Sequence, residues 1–522
     1  MPRSGFNRGS DQGRKHRMTR RTGTALALLF SLGAVPAAGM ADTAAPAVVD
    51  LTRQAAGAGT AYFSEVVDAV DVARQGDTLG ASITIDRLLD DPRLGLLDTF
   101  AQSDVWAYAA LVSSAQEQPS VAEKRLRRAV ALNPHNSDAR LRLARYQMAN
   151  QQDAAAVESI LLALADAGPE PEVDSDMVWH LDMALKQQPT RRLALLQALF
   201  DNGWKNEGVE PVDQWVNLAT LQVEAAQGDK VAATLERIDA PNALMQLRSD
   251  KRFDPYLRRD DPRYDPVAAA RRHIDRLRVD AMLSPGLNET ALELTNALMV
   301  AGQSQEVVGM TDRLADVATK ADAAPPEQAR YIAWMLDTRS RALRRLGQDE
   351  EAINAQLLAL RMTDPEGDTV SQTLNLADLY VSLGKPQLAR QTTRGVEDLS
   401  GYGQSARALI DLKAALQLKD RAAAQSAREL LFANRVQTPG HYRDALLLDD
   451  RLDDAAASLI QALADPMERG AVLLQLQAVL TPPLLPAEAT LLGRWDQLKQ
   501  RADVQAAVAR VGRIDTYPLF VD

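Results

Sequence analysis

Two stretches of this sequence have spacings that could do chemistry. Ser382-Leu-Gly-Lys385 has the Ser-x-x-Lys spacing in which a lysine amine assists a serine nucleophile. Gly401-Tyr-Gly403-Gln-Ser-Ala406 has glycines spaced like those of a loop that cradles a pyrophosphate. Neither sits in the surroundings its chemistry needs. Gly384 and its neighbours read as a turn between helices, and the second stretch follows a helix where a dinucleotide loop must follow a strand. The glycines of the second stretch therefore read as turn residues.

The histidines are His16, His135, His180, His273 and His441, and no pair has the spacing that puts two imidazoles on one helix face. Cysteine is absent, so the usual zinc ligand sets are missing. The histidines read as surface or helix-end residues. Asp90-Asp91, Asp260-Asp261, Asp449-Asp450 and Asp453-Asp454 lack the alternation of a calcium loop and read as helix caps. No catalytic residue, metal ligand or cofactor site is expected.

What must position any other function is a helical framework. The chain has 522 residues, 46% of them hydrophobic and only 5% aromatic. Alanine and leucine dominate, which suits closely packed helices better than sheets. The net charge of −11 disfavours nucleic acid or anionic lipid as a general partner, since both are polyanions.

The N-terminus runs from basic residues (Arg14, Lys15, Arg17, Arg20, Arg21) through the apolar stretch Ala25 to Leu32 to small residues around Ala41. That order predicts a secretory signal over 1–41, with Met18 as an alternative start. The expected address is the periplasm, or alternatively outside the cell. Without cysteine, no disulfide and no lipidated cysteine is expected. No later stretch has the uninterrupted apolar length of a membrane helix, ~20 residues.

The clearest pattern is a 34-residue repeat over 103–170. Ala110 is matched by Ala144, Ala122 by Ala156, Leu126 by Ile160 and Ala129 by Ala163, with Trp106 near the start and Pro134 at the end of the first window. These residues resemble the tetratricopeptide repeat. Small residues let paired helices approach, while Leu126 and Ile160 fill the space between units. A second region, 333–400, repeats at 37 residues: Leu346-Gly347 matches Leu383-Gly384, and Ala352 matches Ala389. The extra residues fall within 364–368.

The expected fold is an all-α solenoid of such helix-turn-helix units in two arrays. Residues 42–60 read as a linker, 61–248 as the first array, and 267–480 as the second. Between the arrays, 249–266 carries three prolines and a high density of charge and reads as a linker. Residues 481–522 read as a helical cap.

In repeats of this family the first helix of each unit lines a groove that holds a protein or peptide. Carried over by position, the resemblance implies Asp104, Ala107, Leu111 and Ser114, then Asp138, Leu141, Arg145 and Met148. In the second region it implies Trp334, Asp337, Arg341 and Arg344, then Ser371, Leu374, Asp378 and Val381. Trp334 with Arg341 and Arg344 has the composition of a binding hot spot. The lysine and asparagine of the family's carboxylate clamp are replaced by Ala107 and Leu111, or by Asp337 and Arg341. The sequence thus points to a non-enzymatic periplasmic scaffold in envelope assembly, secretion or polysaccharide export. The alternative is a solenoid bearing a lytic-transglycosylase-like wall hydrolase.

Overall fold

A computed structural model describes residues 58–166, 168, 171–320, 326–363, 369–397, 399 and 401–521, with side chains left out at 58–60, 326 and 327. The expected signal over 1–41 lies outside them, as does the expected linker up to residue 57. The last three linker residues are helical.

The first helices are α1 (Ala58–Arg74), α2 (Thr78–Leu89), α3 (Thr99–Ala115), α4 (Pro119–Leu132), α5 (Ser137–Ala149) and α6 (Asp153–Ala165). Next come α7 (Ser175–Ala184), α8 (Pro189–Asp201), α9 (Val212–Glu224), α10 (Gly228–Glu236) and α11 (Pro241–Ser249). The middle holds α12 (Pro266–Leu283), α13 (Glu289–Val300), α14 (Ser304–Ala318), α15 (Pro326–Arg345), α16 (Asp349–Arg361), α17 (Thr369–Ser382) and α18 (Pro386–Thr392). The chain ends with α19 (Gly401–Leu418), α20 (Arg421–Ala433), α21 (Pro439–Leu448), α22 (Leu452–Ala464), α23 (Arg469–Gln475), α24 (Ala489–Gln500) and α25 (Ala502–Val511). β-pairing among the described residues is limited to isolated bridges.

Local chemistry sets the helix ends. Asp77, Asp98, Asn136, Asp174, Asp265, Asn288 and Asp420 cap helix N-termini, each side chain accepting a free backbone N–H. Pro119, Pro189, Pro241, Pro386 and Pro439 open helices, where a missing N–H costs nothing.

One turn recurs between the two helices of successive units. The N–H of Gln118 bonds to the Ser113 carbonyl, Gln152 to Gln147, Gln227 to Gln222, Gln303 to Leu298, Gln348 to Leu343 and Lys385 to Tyr380. In each case the preceding residue takes a left-handed conformation: Glu117, Gln151, Ala226, Gly302, Gly347 and Gly384. This six-residue closure satisfies the orphan carbonyls at the end of the first helix and aims the chain back along it. Leu346-Gly347 and Leu383-Gly384 are therefore corresponding turns.

The matched residues are core. Ala110, Ala144, Ala122, Ala156, Leu126, Ile160, Ala129 and Ala163 are all essentially inaccessible. A hydrogen bond repeats with them: Ser103 Oγ donates to the Ala129 carbonyl (2.8 Å), and Ser137 Oγ to the Ala163 carbonyl (3.1 Å). In the second region Ala352 and Ala389 are likewise buried. Along most of the solenoid the first helices lie nearer one another than the second helices do: α1 and α3 touch, as do α13 and α15, α17 and α19, and α19 and α21. The layer of first helices is thus the inside of the curve. The order is interrupted at α6–α8, where the second helices make the closer contact.

The separation into two arrays is corrected by residues 249–266. Phe253, Leu257 and Tyr264 are buried in one continuous core with Ile160, Leu199, Trp215 and Ala269. The prolines and charges that read as a linker instead build short turns capped by Asp250 and Asp261, with the aromatic residues as anchors. Gly228 opens α10 because a side-chain carbon there would meet the Tyr256 hydroxyl at 2.6 Å.

The C-terminal region is more than a helical cap. α24 and α25 do cover α21 and α22, but 480–488 and 512–521 are non-helical. The latter run back to the middle of the chain. Arg513 forms a paired salt bridge with Asp254 (2.7 and 2.6 Å), Arg259 meets Asp515 at 2.6 Å, and the Phe520 N–H bonds to the Val300 carbonyl (2.9 Å). The second half of the solenoid therefore closes on itself.

Candidate partner-binding surface

The inner wall of the first half is built on α3 and α5. Asp104 accepts a hydrogen bond from Asn136 Nδ2 (3.0 Å), yet the surrounding protein pushes its pKa up to about 6. Asp138 pairs with Arg142 at 2.8 Å and keeps 60% of its side chain exposed. Its side chain reaches solvent, but the protein around it displaces part of the hydrating water and lifts its pKa to about 6, with Arg145 opposing the shift and Asp104 adding to it. Arg145 reaches Asp174 at 3.0 Å. Met148 and Leu141 are half-buried against the core. Ser114 is hydrogen-bonded to Tyr146, while Ala107 is buried.

The wall of the second half is organised differently. Trp334 is buried against Leu292 and Met335, so its indole serves the core rather than a partner. Asp337 is buried, accepts from Asn375 Nδ2 (2.9 Å) and sits 3.3 Å from Arg341 Nε. Ser371, Leu374 and Val381 are buried because neighbouring first helices pack tightly here. Asp378 meets Lys413 Nζ at 2.8 Å. Arg344 donates to both carboxylate oxygens of Glu488, each at 2.6 Å. Asp337 and Arg341 thus come together, and Arg344 and Asp378 face one charge network. Asp138, Arg145 and Met148 form a separate wall.

Position in a repeat did not reveal Lys413, His441, Asp444 or Glu488. Lys413 keeps its charge although burial opposes it, because Asp378 outweighs burial and raises its pKa. His441 packs against Tyr402 with ring centroids 4.9 Å apart, and burial beside Lys413 drives its pKa down to about 4. Asp444 accepts from Trp495 Nε1 (2.8 Å), and burial raises its pKa. The one legible sign was the proline-rich stretch before Glu488, which breaks the helical pattern.

The isolated spacings do not assemble sites. Lys385 pairs with Glu350 at 2.9 Å, while the carbonyl of buried Ser382 accepts the Ala487 N–H. Gly401 and Gly403 lie in the first turn of α19 rather than in a turn between helices. His273 corrects the reading of the histidines as surface or helix-end residues: it is 2% exposed, between Asp239 (3.4 Å) and Glu293 (3.3 Å). His135 does lie at the surface, 2.8 Å from Asp166. Among the described residues no group of three or more His, Asp or Glu is placed to hold a metal ion.

Residues 114–175 match the tetratricopeptide repeat family. This stretch of the chain carries the tetratricopeptide repeat. The match begins within α3 and ends at the start of α7, across the repeat where the 34-residue spacing is clearest. No curated protein sequence matches the chain. Similar solved structures include the P58(IPK) TPR domain, at 13% identity over 78% of this chain and 100% of that one, with a TM-score of 0.20. The APC/C hetero-tetramer Cut9-Hcn1 matches at 13% identity over 88% of this chain and 97% of that one, with a TM-score of 0.26. Naa15/Naa10 bound to HypK-THB matches at 13% identity, covering 86% and 65% of the respective chains, with a TM-score of 0.27. The tetratricopeptide architecture suggests protein–protein interaction, and no described helix is long and apolar enough to cross a membrane.

Proposed function

We propose that this tetratricopeptide protein is an exported, non-enzymatic scaffold that holds an extended protein segment against its inner helices. The role fits envelope assembly, secretion or polysaccharide export. The observation that carries the reading is the inner wall itself: first helices lie closer than second helices along most of the solenoid, α6–α8 excepted, and Asp104 and Asp138 stand on that wall with raised pKa values. Asp104, which meets only the neutral Asn136 amide, has no counter-charge and gains from an incoming cation. The first-half wall therefore suits a partner segment carrying lysine or arginine. The basic-apolar-small order of 1–41 supports export to the periplasm.

A photocrosslinking residue at Asp138, on the inner face of α5, should capture a discrete envelope protein in living cells. The same residue at Glu158, exposed on α6, should not. Equal capture from both faces would defeat the assignment of the inner wall. Deleting 1–41 should leave the protein in the cytosolic fraction; unchanged fractionation would overturn the export reading.

A further inference from the structure

The inner wall of the second half already has an occupant from its own chain. Residues 480–488, Leu-Thr-Pro-Pro-Leu-Leu-Pro-Ala-Glu, run without helix from the end of the solenoid to the start of α24. Leu485, Ala487 and Glu488 seat them on the inner wall. Leu485 is 4% exposed, whereas Thr481, Pro483, Leu484 and Pro486 are exposed. The Ala487 N–H donates to the Ser382 carbonyl at the end of α17 (3.0 Å). Glu488 gives both carboxylate oxygens to Arg344 at the end of α15 and also lies in the field of Lys413 on α19. The segment thus bridges the ends of two successive first helices, α15 and α17, with its carboxylate facing the charge of Lys413 on the third, α19.

Its composition is that of a recognition peptide. Prolines pre-extend a chain and leave its carbonyls and alternate side chains available at little entropic cost. On the helices the seat is light, with one apolar anchor, one backbone hydrogen bond and one ion pair whose side chains remain 26% and 21% exposed; a second backbone hydrogen bond, from the Leu480 N–H to the Leu519 carbonyl (2.8 Å), ties only the start of the segment to the C-terminal run. Arg344 also has donor capacity to spare, since its buried Nε has no hydrogen-bond partner. Permanent stapling would call for more burial than this.

We infer that 480–488 is a displaceable intrachain occupant of a peptide-binding groove on α15, α17 and α19. Its external partner is an extended, proline-containing protein segment that offers an apolar side chain and, three residues later, a carboxylate. The inference rests on the scaffold reading and adds a second partner chemistry, opposite in charge to that of the first-half wall. A tethered occupant competes at a high effective concentration, so the wild-type groove shows an external peptide only its open fraction.

The test is titration of a fluorescent peptide, Leu-Thr-Pro-Pro-Leu-Leu-Pro-Ala-Glu-Ala, into the full chain and into the double variant Leu485→Ala/Glu488→Gln. A groove closed about 90% of the time should bind about tenfold tighter once its own segment is loosened. Adding Arg344→Ala to the double variant should abolish that gain. Equal binding by wild type and double variant, or binding indifferent to Arg344→Ala, would overturn the inference. Hydrogen exchange on the wild-type chain guards against a variant that fails to fold: excess peptide should speed exchange of the Ala487 amide, and an unchanged rate would count equally against displacement. Crosslinking from Asp138 reads the scaffold assignment separately, so capture there without peptide binding here sinks the second-half groove alone.

Discussion

The wall on α3 and α5 and the wall on α15, α17 and α19 use the same repeat, but they differ in how their charges are committed. On the first, Asp104 meets a neutral amide, and Asp138 is paired while still standing at a pKa of about 6. On the second, Asp337 is held by Asn375 and Arg341, Asp378 by Lys413, and Arg344 by Glu488. The repeat fixes shape and spacing; what a wall can recognise depends on which charges the chain leaves without a full counter-charge. The first wall leaves the Asp104 carboxylate without a counter-charge, and the second presents a guanidinium covered by a segment of its own.

The largest expected effect lies beneath the first wall. Arg192 on α8 and Asp182 on α7 form a paired salt bridge (2.6 and 2.8 Å) with side chains 4% and 6% exposed, and Asn217 donates to the same carboxylate. Asp182→Ala strands a buried guanidinium and should cost about 3–5 kcal/mol. Denaturant melts should show the loss in the first half, while exchange of the Ala487 amide stays slow. Loss of protection at both places would show that the two walls stand or fall together.

His273 lies where the halves join, between Asp239 from the loop after α10 and Glu293 from α13; Arg276 on its own helix, itself paired with Asp239, stands 2.9 Å from Nδ1 and, as a donor, opposes a proton there. Burial opposes its charge, but the two carboxylates outweigh burial and raise its pKa from 6.5 to about 9. The folded form therefore holds a proton that the unfolded chain releases between these values. The stabilisation is complete below pH 6.5 and is lost as pH rises through about 9. His273→Gln should flatten that part of the stability profile; an unchanged slope between pH 6.5 and 9 would exclude His273 as its source.

A smaller effect separates the walls directly. Asp104 and Asp138 have folded pKa values of about 6 against an ordinary 3.8, so the folded chain carries extra protons between those values. Their contribution to stability falls as pH rises from about 4 to 6, opposite to the trend of a carboxylate held by a salt bridge. Carboxyl NMR titration should find both midpoints near 6. Ordinary midpoints at both sites would remove the charge contrast between the walls.

Much of the fold was legible because its determinants are local and periodic. Ala110 and Ala144 mark where helices touch, and Gly347 and Gly384 mark where the chain reverses. The closure of the second half was not legible, because Arg513 and Asp254 are 259 residues apart and neither belongs to a repeat. The proline-rich 249–266 misled for a related reason. Prolines announce an end to helix, but Phe253 and Tyr264 bury themselves between the charges, and burial decides whether such a stretch packs or dangles. Among the groove residues, position assigned the helix correctly but could not tell which side chains a neighbouring helix would cover. Trp334 and Asp337 are covered; Asp138 is not.

The smallest expected effect lies at the turns. The second-half units built on α15 and α17 place glycine at the left-handed residue, Gly347 (φ 75°) and Gly384 (φ 70°), whereas the first-half units built on α3 and α5 place Glu117 (φ 55°) and Gln151 (φ 59°) there. A side-chain-bearing L-residue pays about 1–2 kcal/mol for that conformation. Glycine avoids this cost but surrenders part of the gain through the greater freedom of its unfolded chain. Gln151 is exposed, and its N–H bonds to the Met148 carbonyl, a contact glycine retains. Gln151→Gly should therefore stabilise the first half by about 0.5–1 kcal/mol, and Gly384→Ala should destabilise the second by a similar or larger amount. Thermal melts of the two variants should move in opposite directions. A destabilised Gln151→Gly would mean that its side chain contributes something beyond the turn geometry.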